Sequence, residues 1–133
     1  MNPQNIYHGI LVDAGFDDPS YPEAYKVFAK KKSTNKDWTL YGIEVEAPQL
    51  QDAIKNIQLH FKSDQSYYAH FYNDKELIVI FKNKVFSVTP QSVSWEEIIA
   101  FGKLLNIPGE QLDFWPNRFQ DEIHYFKSED FIQ

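Results

Sequence analysis

The sequence of 133 residues contains no cysteine. This excludes disulfide bonds, thiolate metal sites and cysteine nucleophiles. Its five glycines are scattered, so no glycine-rich loop is available to hold a phosphate group. A Gly-x-Ser-x-Gly nucleophile motif and a His-Glu-x-x-His zinc motif are also missing. We therefore expect no cofactor and no metal site, and we assign no catalytic residue.

Basic residues and long apolar runs are scarce as well. Lys and Arg number 13 against 19 Asp and Glu, which leaves a net charge of −6. Because nucleic-acid binding needs a basic surface, we expect no nucleic-acid partner. The longest apolar run, Leu77–Phe81, is far too short to span a bilayer, so we expect no membrane association. The first residues lack the features of a secretory signal, and the expected location is the cytoplasm.

Aromatic residues are abundant, at 17% of the chain. The hydrophobic share of 43% and the charged share of 24% are typical of a globular protein. The length suits one domain. We therefore predict a single α+β domain over residues 1–133, in which residues 108–126 form a packed tail.

Alternating apolar residues and turn signals predict six short strands. They are Ile6–Val12, Tyr25–Lys30, Trp38–Val45, Tyr67–Tyr72, Leu77–Phe81 and Val85–Thr89. Helical spacing of apolar residues predicts one amphipathic helix from Pro48 to Lys62 and a second from Ser94. The order βββα-βββα favours a mostly antiparallel sheet of about six strands, with both helices packed on one face. Residues 6–62 and 66–107 share this element order, which suggests a pseudo-repeat.

The second helix has a clear start signal. Ser94 and Glu97 have the spacing of a capping box, and Val93 and Ile98 that of a hydrophobic staple. Its predicted buried stripe is Trp95, Ile98, Ile99, Gly102 and Leu105. Glycine lowers helix propensity, so we expect Gly102 to allow a close approach of the helix to the sheet.

The strand Leu77–Phe81 is apolar on both sides. Alternation places Leu77 and Val79 on one face and Ile78 and Ile80 on the other. We predict burial on both sides, with the aromatic tail or a second subunit as the second layer. Only the end of the tail, residues 127–133, is expected to fray.

Two features suggest a binding site. Tyr68, His70 and Tyr72 share one strand face, and such a row could bind a small molecule, transfer a proton, or simply form a polar stripe facing solvent. Arg118 is the only arginine, beside Trp115 in an aromatic segment. It could bind a carboxylate or phosphate, but pairing with Asp113 or Asp121 is the favoured interpretation. His8 and His60 are interpreted as structural.

Three functions remain open. The favoured one is a non-enzymatic interaction protein with a protein partner or a second copy of itself. The alternative is a small-molecule-binding protein whose pocket lies between sheet and tail. That pocket would be lined by Tyr68, His70, Tyr72, Trp115 and Arg118. The third is a hydrolase or isomerase that uses His70 or His124 with an acid from the tail.

Overall fold

The computed structural model describes residues 5–34 and 36–132, so residues 1–4 and Gln133, the last residue of the tail that is expected to fray, lie outside the described residues. Six strands form one sheet in the order β2-β3-β1-β4-β5-β6, and every neighbouring pair is antiparallel. They are β1 (Ile6–Val12), β2 (Lys26–Lys32), β3 (Thr39–Glu46), β4 (Tyr68–Tyr72), β5 (Leu77–Phe81) and β6 (Lys84–Val88). The helices are α1 (Leu50–His60), α2 (Glu96–Leu104) and the single turn α3 (Glu122–Tyr125). The predicted α+β class and the six-stranded antiparallel sheet are confirmed.

The sheet is apolar on both faces, and each face has its own cover. We call the face that α1 covers the front; it carries Ile43, Phe71, Ile78 and Ile80. The opposite face, the back, carries Ile10, Leu77, Val79 and Phe81 and lies under α2 and the C-terminal segment. A shared face follows from the register, because directly paired residues of neighbouring strands point the same way.

The prediction that both helices pack on one face is wrong. α1 already covers the front above Ile78 and Ile80. In β6, the back-facing Phe86 and Val88 are half-buried, while the front-facing Val85 is exposed. The apolar surface left uncovered is therefore on the back, and burial of that surface draws α2 there.

The prediction that β5 is buried on both sides is confirmed. All five of its residues are buried. α1 contributes the layer on the front, and α2 together with Leu112 and Phe114 contributes the layer on the back. The second layer of this strand thus comes from the chain itself.

The predicted start of α2 needs correction. A 3-10 turn, Ser92–Trp95, precedes α2, and Trp95 is its N-cap without a side-chain cap bond. The Ser94 hydroxyl donates instead to the carbonyl of Gln91, at 2.8 Å, and approaches that of Thr89 at 3.2 Å. Val93 is 87% exposed, so the staple is absent too. Ser94 thus closes a turn rather than capping a helix.

Of the predicted stripe of α2, Trp95, Ile98 and Gly102 are buried, while Ile99 and Leu105 are half-buried. The partner of Gly102 differs from the expected one. A β-carbon on Gly102 would lie 2.7 Å from Leu112 Cδ2. The close approach is therefore to the segment that follows α2, and not to the sheet.

The end of the tail is paired with the sheet, so the fraying expected for residues 127–132 is wrong. Phe131 forms an antiparallel bridge with Ala29 of β2. The Ile132 N–H donates to the Phe28 carbonyl at 2.9 Å. This edge of the sheet is partly covered by the chain's own C-terminal segment.

Candidate functional site

A cleft of about 630 Å³ lies between the back of the sheet and the segment that follows α2. We call it the tail cleft. Its floor is apolar and comes from the strands: Ile10 and Val12 of β1 and Leu40 of β3. The tip of the β2–β3 hairpin forms one wall, and residues 106–113 with Trp115 and Tyr125 form the other. Its volume is in the range of small-molecule sites.

His70 is the buried polar residue at the bottom of the tail cleft. It is 3% exposed, and its Nε2 donates to the Pro116 carbonyl at 2.7 Å. Burial lowers the pKa of His70 to about 4, although the hydrogen bond to Pro116 opposes the shift. The ring is therefore neutral at pH 7, and its Nδ1 is an acceptor.

That acceptor is left without a protein hydrogen bond among the described residues. Within the described residues, Nδ1 of His70 has no hydrogen-bond partner, and no fully buried side-chain N or O atom lacks one. Nδ1 therefore keeps contact with open space, and His70 lines the tail cleft. A ligand can donate a hydrogen bond to it.

Tyr68 and Trp115, two further predicted site residues, also line the tail cleft. The Tyr68 hydroxyl donates to the Gln111 carbonyl, which ties β4 to the far wall. Because that bond uses its only proton, its oxygen can only accept from a ligand. Trp115 also borders a second cleft of about 480 Å³.

Tyr72 and Arg118, the remaining predicted site residues, do not line the tail cleft. Tyr72 faces the back of the sheet but is covered by α3, and its hydroxyl donates to Glu122 Oε2 at 2.5 Å. Arg118 borders the second cleft and pairs with Asp121, with Nη2 3.1 Å from Oδ1. The favoured interpretation of Arg118, pairing with a local acid, agrees with this contact. The structure thus brings three of the five residues together.

Four charged residues of the tail cleft were missed by sequence reasoning. Lys31 and Lys36 belong to the hairpin wall, and Glu110 and Asp113 to the opposite wall. Burial, and next the charge of Asp113, raises the pKa of both Tyr68 and Tyr125. The Asp113 carboxylate is thus close to the phenols of the cleft. No sequence signal links these residues, because the two walls are about 80 positions apart.

A second polar cluster was also missed. His8 of β1 lies between two carboxylates, with Nδ1 2.5 Å from Glu122 and Nε2 3.1 Å from Glu44. Phe28 stacks on its ring at a centroid distance of 4.2 Å. The sequence predicts a structural role for His8. Its contact with Glu122 agrees with this prediction, because it ties β1 to α3.

The geometry for histidine-dependent catalysis is not assembled at the predicted positions. Within the described residues, the Pro116 carbonyl is the only hydrogen-bond partner of His70, and His124 is exposed. The contact between a histidine and a carboxylate is at His8, which lines neither of the two clefts described above. Over residues 5–34 and 36–132, no three His, Asp or Glu side chains come together in a way that could hold a metal ion.

Comparison with known proteins assigns no class: no family model, no curated protein and no solved structure matches the chain. Among the helices described here, none has the length and apolar character needed to cross a membrane.

Proposed function

We propose that the protein is a non-catalytic binding protein that takes a small organic ligand in the tail cleft. One observation carries the proposal: a cleft of about 630 Å³ has an apolar floor, and the buried, neutral His70 that lines it has a ring acceptor without a partner among the described residues. An apolar floor with a few placed polar groups is typical of ligand sites. Catalysis is not part of the proposal, because His70 has no acidic partner within the described residues.

A fragment screen on ¹⁵N-labelled protein tests this proposal. We expect backbone shift changes to cluster around the floor and walls of the tail cleft for planar fragments that carry a hydrogen-bond donor. Leu40→Trp should fill the cleft and abolish these changes. Val85→Trp, on the exposed front of β6, is the matched control and should leave them intact. Binding elsewhere, or binding that Leu40→Trp does not affect, would contradict the proposal.

Self-association is the second candidate, and the free edge of the sheet favours it. β6 is the terminal strand of the sheet, and within the described residues its outer edge pairs with no other strand. Such an edge can pair with a second copy of the chain. Sedimentation velocity should then show a dimer that forms with rising concentration and that Val85→Lys weakens. A monomer at every soluble concentration would exclude this candidate.

A cytoplasmic location belongs to the proposal as well. It is supported by the sequence features that led to the expectation. Fractionation of cells that express the tagged full chain would test it, and recovery outside the cytoplasmic fraction would contradict it.

A further inference from the structure

The charged groups of the tail cleft are divided by sign. The wall from Glu110 to Asp113 carries two carboxylates, and the neighbouring Tyr68 and His70 present only acceptors to a ligand. The hairpin wall carries Lys31 and Lys36, whose ammonium groups are only donors. One side of the cleft therefore carries negative formal charge and the other side carries positive formal charge.

The lysines are held in place on aromatic rings. Lys31 Nζ lies 4.1 Å from the centroid of the Tyr125 ring and donates to the Tyr125 carbonyl at 2.9 Å. This leaves two of its three N–H groups for a ligand. Lys36 Nζ lies 5.6 Å from the centroid of the Trp38 ring. Both contacts position positive charge at the cleft without neutralising it.

We infer that the tail cleft binds a small zwitterion with an apolar body, such as an aromatic α-amino acid. Its ammonium group would lie toward Glu110, Asp113 and the acceptor of His70, and its carboxylate toward Lys31 and Lys36. The apolar body would rest on the floor formed by Ile10, Val12 and Leu40, between aromatic side chains. The inference rests on the proposed function, since it names the ligand class of the same cleft.

The opposite charges of the two walls favour a zwitterion over a ligand with a single charge. An anion without a cationic group would gain the contacts to the lysines but would place no donor before the carboxylates and His70. A cation without an anionic group would leave the two ammonium groups unused. Hydrogen bonds between charged groups are about twice as strong as neutral ones, so a ligand with both charges gains most.

Three probes of nearly equal size test the inference by isothermal titration calorimetry on the full chain. They are L-tryptophan, tryptamine, which lacks the carboxylate, and indole-3-propionate, which lacks the ammonium group. We expect L-tryptophan to bind about tenfold more tightly than either of the others, as one charge-assisted hydrogen bond predicts. Equal affinities for the three probes would overturn the inference.

Variants of the two walls test which wall binds the ammonium group of the ligand and which binds its carboxylate. Lys36→Met should reduce the advantage of L-tryptophan over tryptamine and leave its advantage over indole-3-propionate. Glu110→Gln should reduce the advantage of L-tryptophan over indole-3-propionate and leave its advantage over tryptamine. Lys55→Met and Glu96→Gln change exposed residues outside the cleft and should alter neither ratio. Because Lys36 and Glu110 are exposed, we expect both variants to fold, so that their binding can be measured.

The fragment screen separates the two possible failures. If uncharged fragments bind in the cleft and the three indoles show no preference, the proposed function stands and the zwitterion inference is wrong. If neither fragments nor indoles bind there, both are wrong. A preference that survives both Lys36→Met and Lys31→Met would also overturn the assignment of the carboxylate to the hairpin wall.

Discussion

Tyr68, His70 and Tyr72 alternate along one strand, yet their surroundings separate their roles. Tyr68 and His70 line a cleft, while Tyr72 donates to Glu122 beneath α3. The same contrast holds for the histidines. His8 contacts two carboxylates, and His70 contacts a backbone carbonyl. At the residue scale, what lies above the strand decides the chemistry of a side chain.

The state of His70 predicts a pH dependence of stability. Burial lowers its pKa from 6.5 to about 4. The His70 imidazole therefore takes up a proton at a higher pH in the unfolded chain than in the folded protein. As a result, the free energy of unfolding falls as the pH drops from about 6.5 to 4. The loss reaches about 1.4 kcal/mol per pH unit.

Urea unfolding of the wild type and His70→Gln between pH 7.5 and 4.5 measures this contribution. The free energy of unfolding should fall less steeply with pH in the variant, which lacks the titrating ring. NMR provides a direct check, because the ring signals of His70 should remain those of a neutral imidazole down to pH 5. Equal slopes together with a ring that titrates near pH 6.5 would contradict the prediction.

Arg118 is expected to stabilise the tail rather than bind a ligand. Its Nη2 and Nε lie 3.1 and 3.4 Å from the two carboxylate oxygens of the buried Asp121. Lysine keeps the charge but loses the second contact. Since the arginine side chain is 46% exposed, Arg118→Lys should cost no more than about 1 kcal/mol of stability.

The same variant should bind ligands of the tail cleft unchanged, because Arg118 does not line that cleft. Urea unfolding and calorimetry measure the two properties side by side. Weaker binding with an unchanged unfolding midpoint would reverse the assignment and make Arg118 a binding residue.

At the scale of elements, the start of α2 shows how a local motif can serve another purpose. The spacing of Ser94 and Glu97 suits a capping box, but the chain enters α2 through a 3-10 turn. In that turn the Ser94 hydroxyl faces the carbonyls of Gln91 and Thr89. The Trp95 ring N–H also donates to Thr89, at 2.9 Å. Packing of Trp95 into the back core positions this entry.

A pair of variants distinguishes the turn from the capping box. Ser94→Ala should destabilise the protein by about 1 kcal/mol through loss of the turn bonds. Glu97→Ala should have no measurable effect on the free energy of unfolding, because within the described residues the Glu97 side chain makes no cap hydrogen bond. Equal losses of stability in Glu97→Ala and Ser94→Ala, together with an interaction energy between the two sites in the double variant, would instead support the capping box.

At the scale of the whole molecule, the C-terminal segment completes the back of the sheet. Phe114 and Phe126 are almost fully buried there, and Asp121 and Glu122 are buried as well. The segment also forms a wall of the tail cleft through Trp115 and Tyr125. The same part of the chain therefore contributes both to the core and to the proposed ligand site.

Phe126→Ala is expected to cost about 3–5 kcal/mol, because it leaves a cavity under the tail. Ile123→Ala, in the same short helix but 73% exposed, is the control and should change stability by less than about 0.5 kcal/mol. Truncation after Asp113 should cost more than Phe126→Ala. Chemical denaturation measures all three, and a truncated chain as stable as the full one would show that the tail is not part of the fold.

The sequence by itself determined the six strands, the two longer helices and their order. The six strands agree with their predicted ranges to within one or two residues, because alternation and turn signals are local properties. The stripe of α2 and the two apolar faces of β5 were readable for the same reason. The functions proposed for the chain remain predictions, and so do its single-domain organisation and its pseudo-repeat.

Only the tertiary structure decided which face each helix covers and which residues meet in the tail cleft. Lys31 and Asp113 form opposite walls although they are far apart in sequence, and no local pattern encodes such a pairing. His8 and Glu122 are separated further still, by 114 positions. Long-range contacts of this kind arise from burial of apolar surface across the whole chain, which is why a single sequence predicts its elements better than its site.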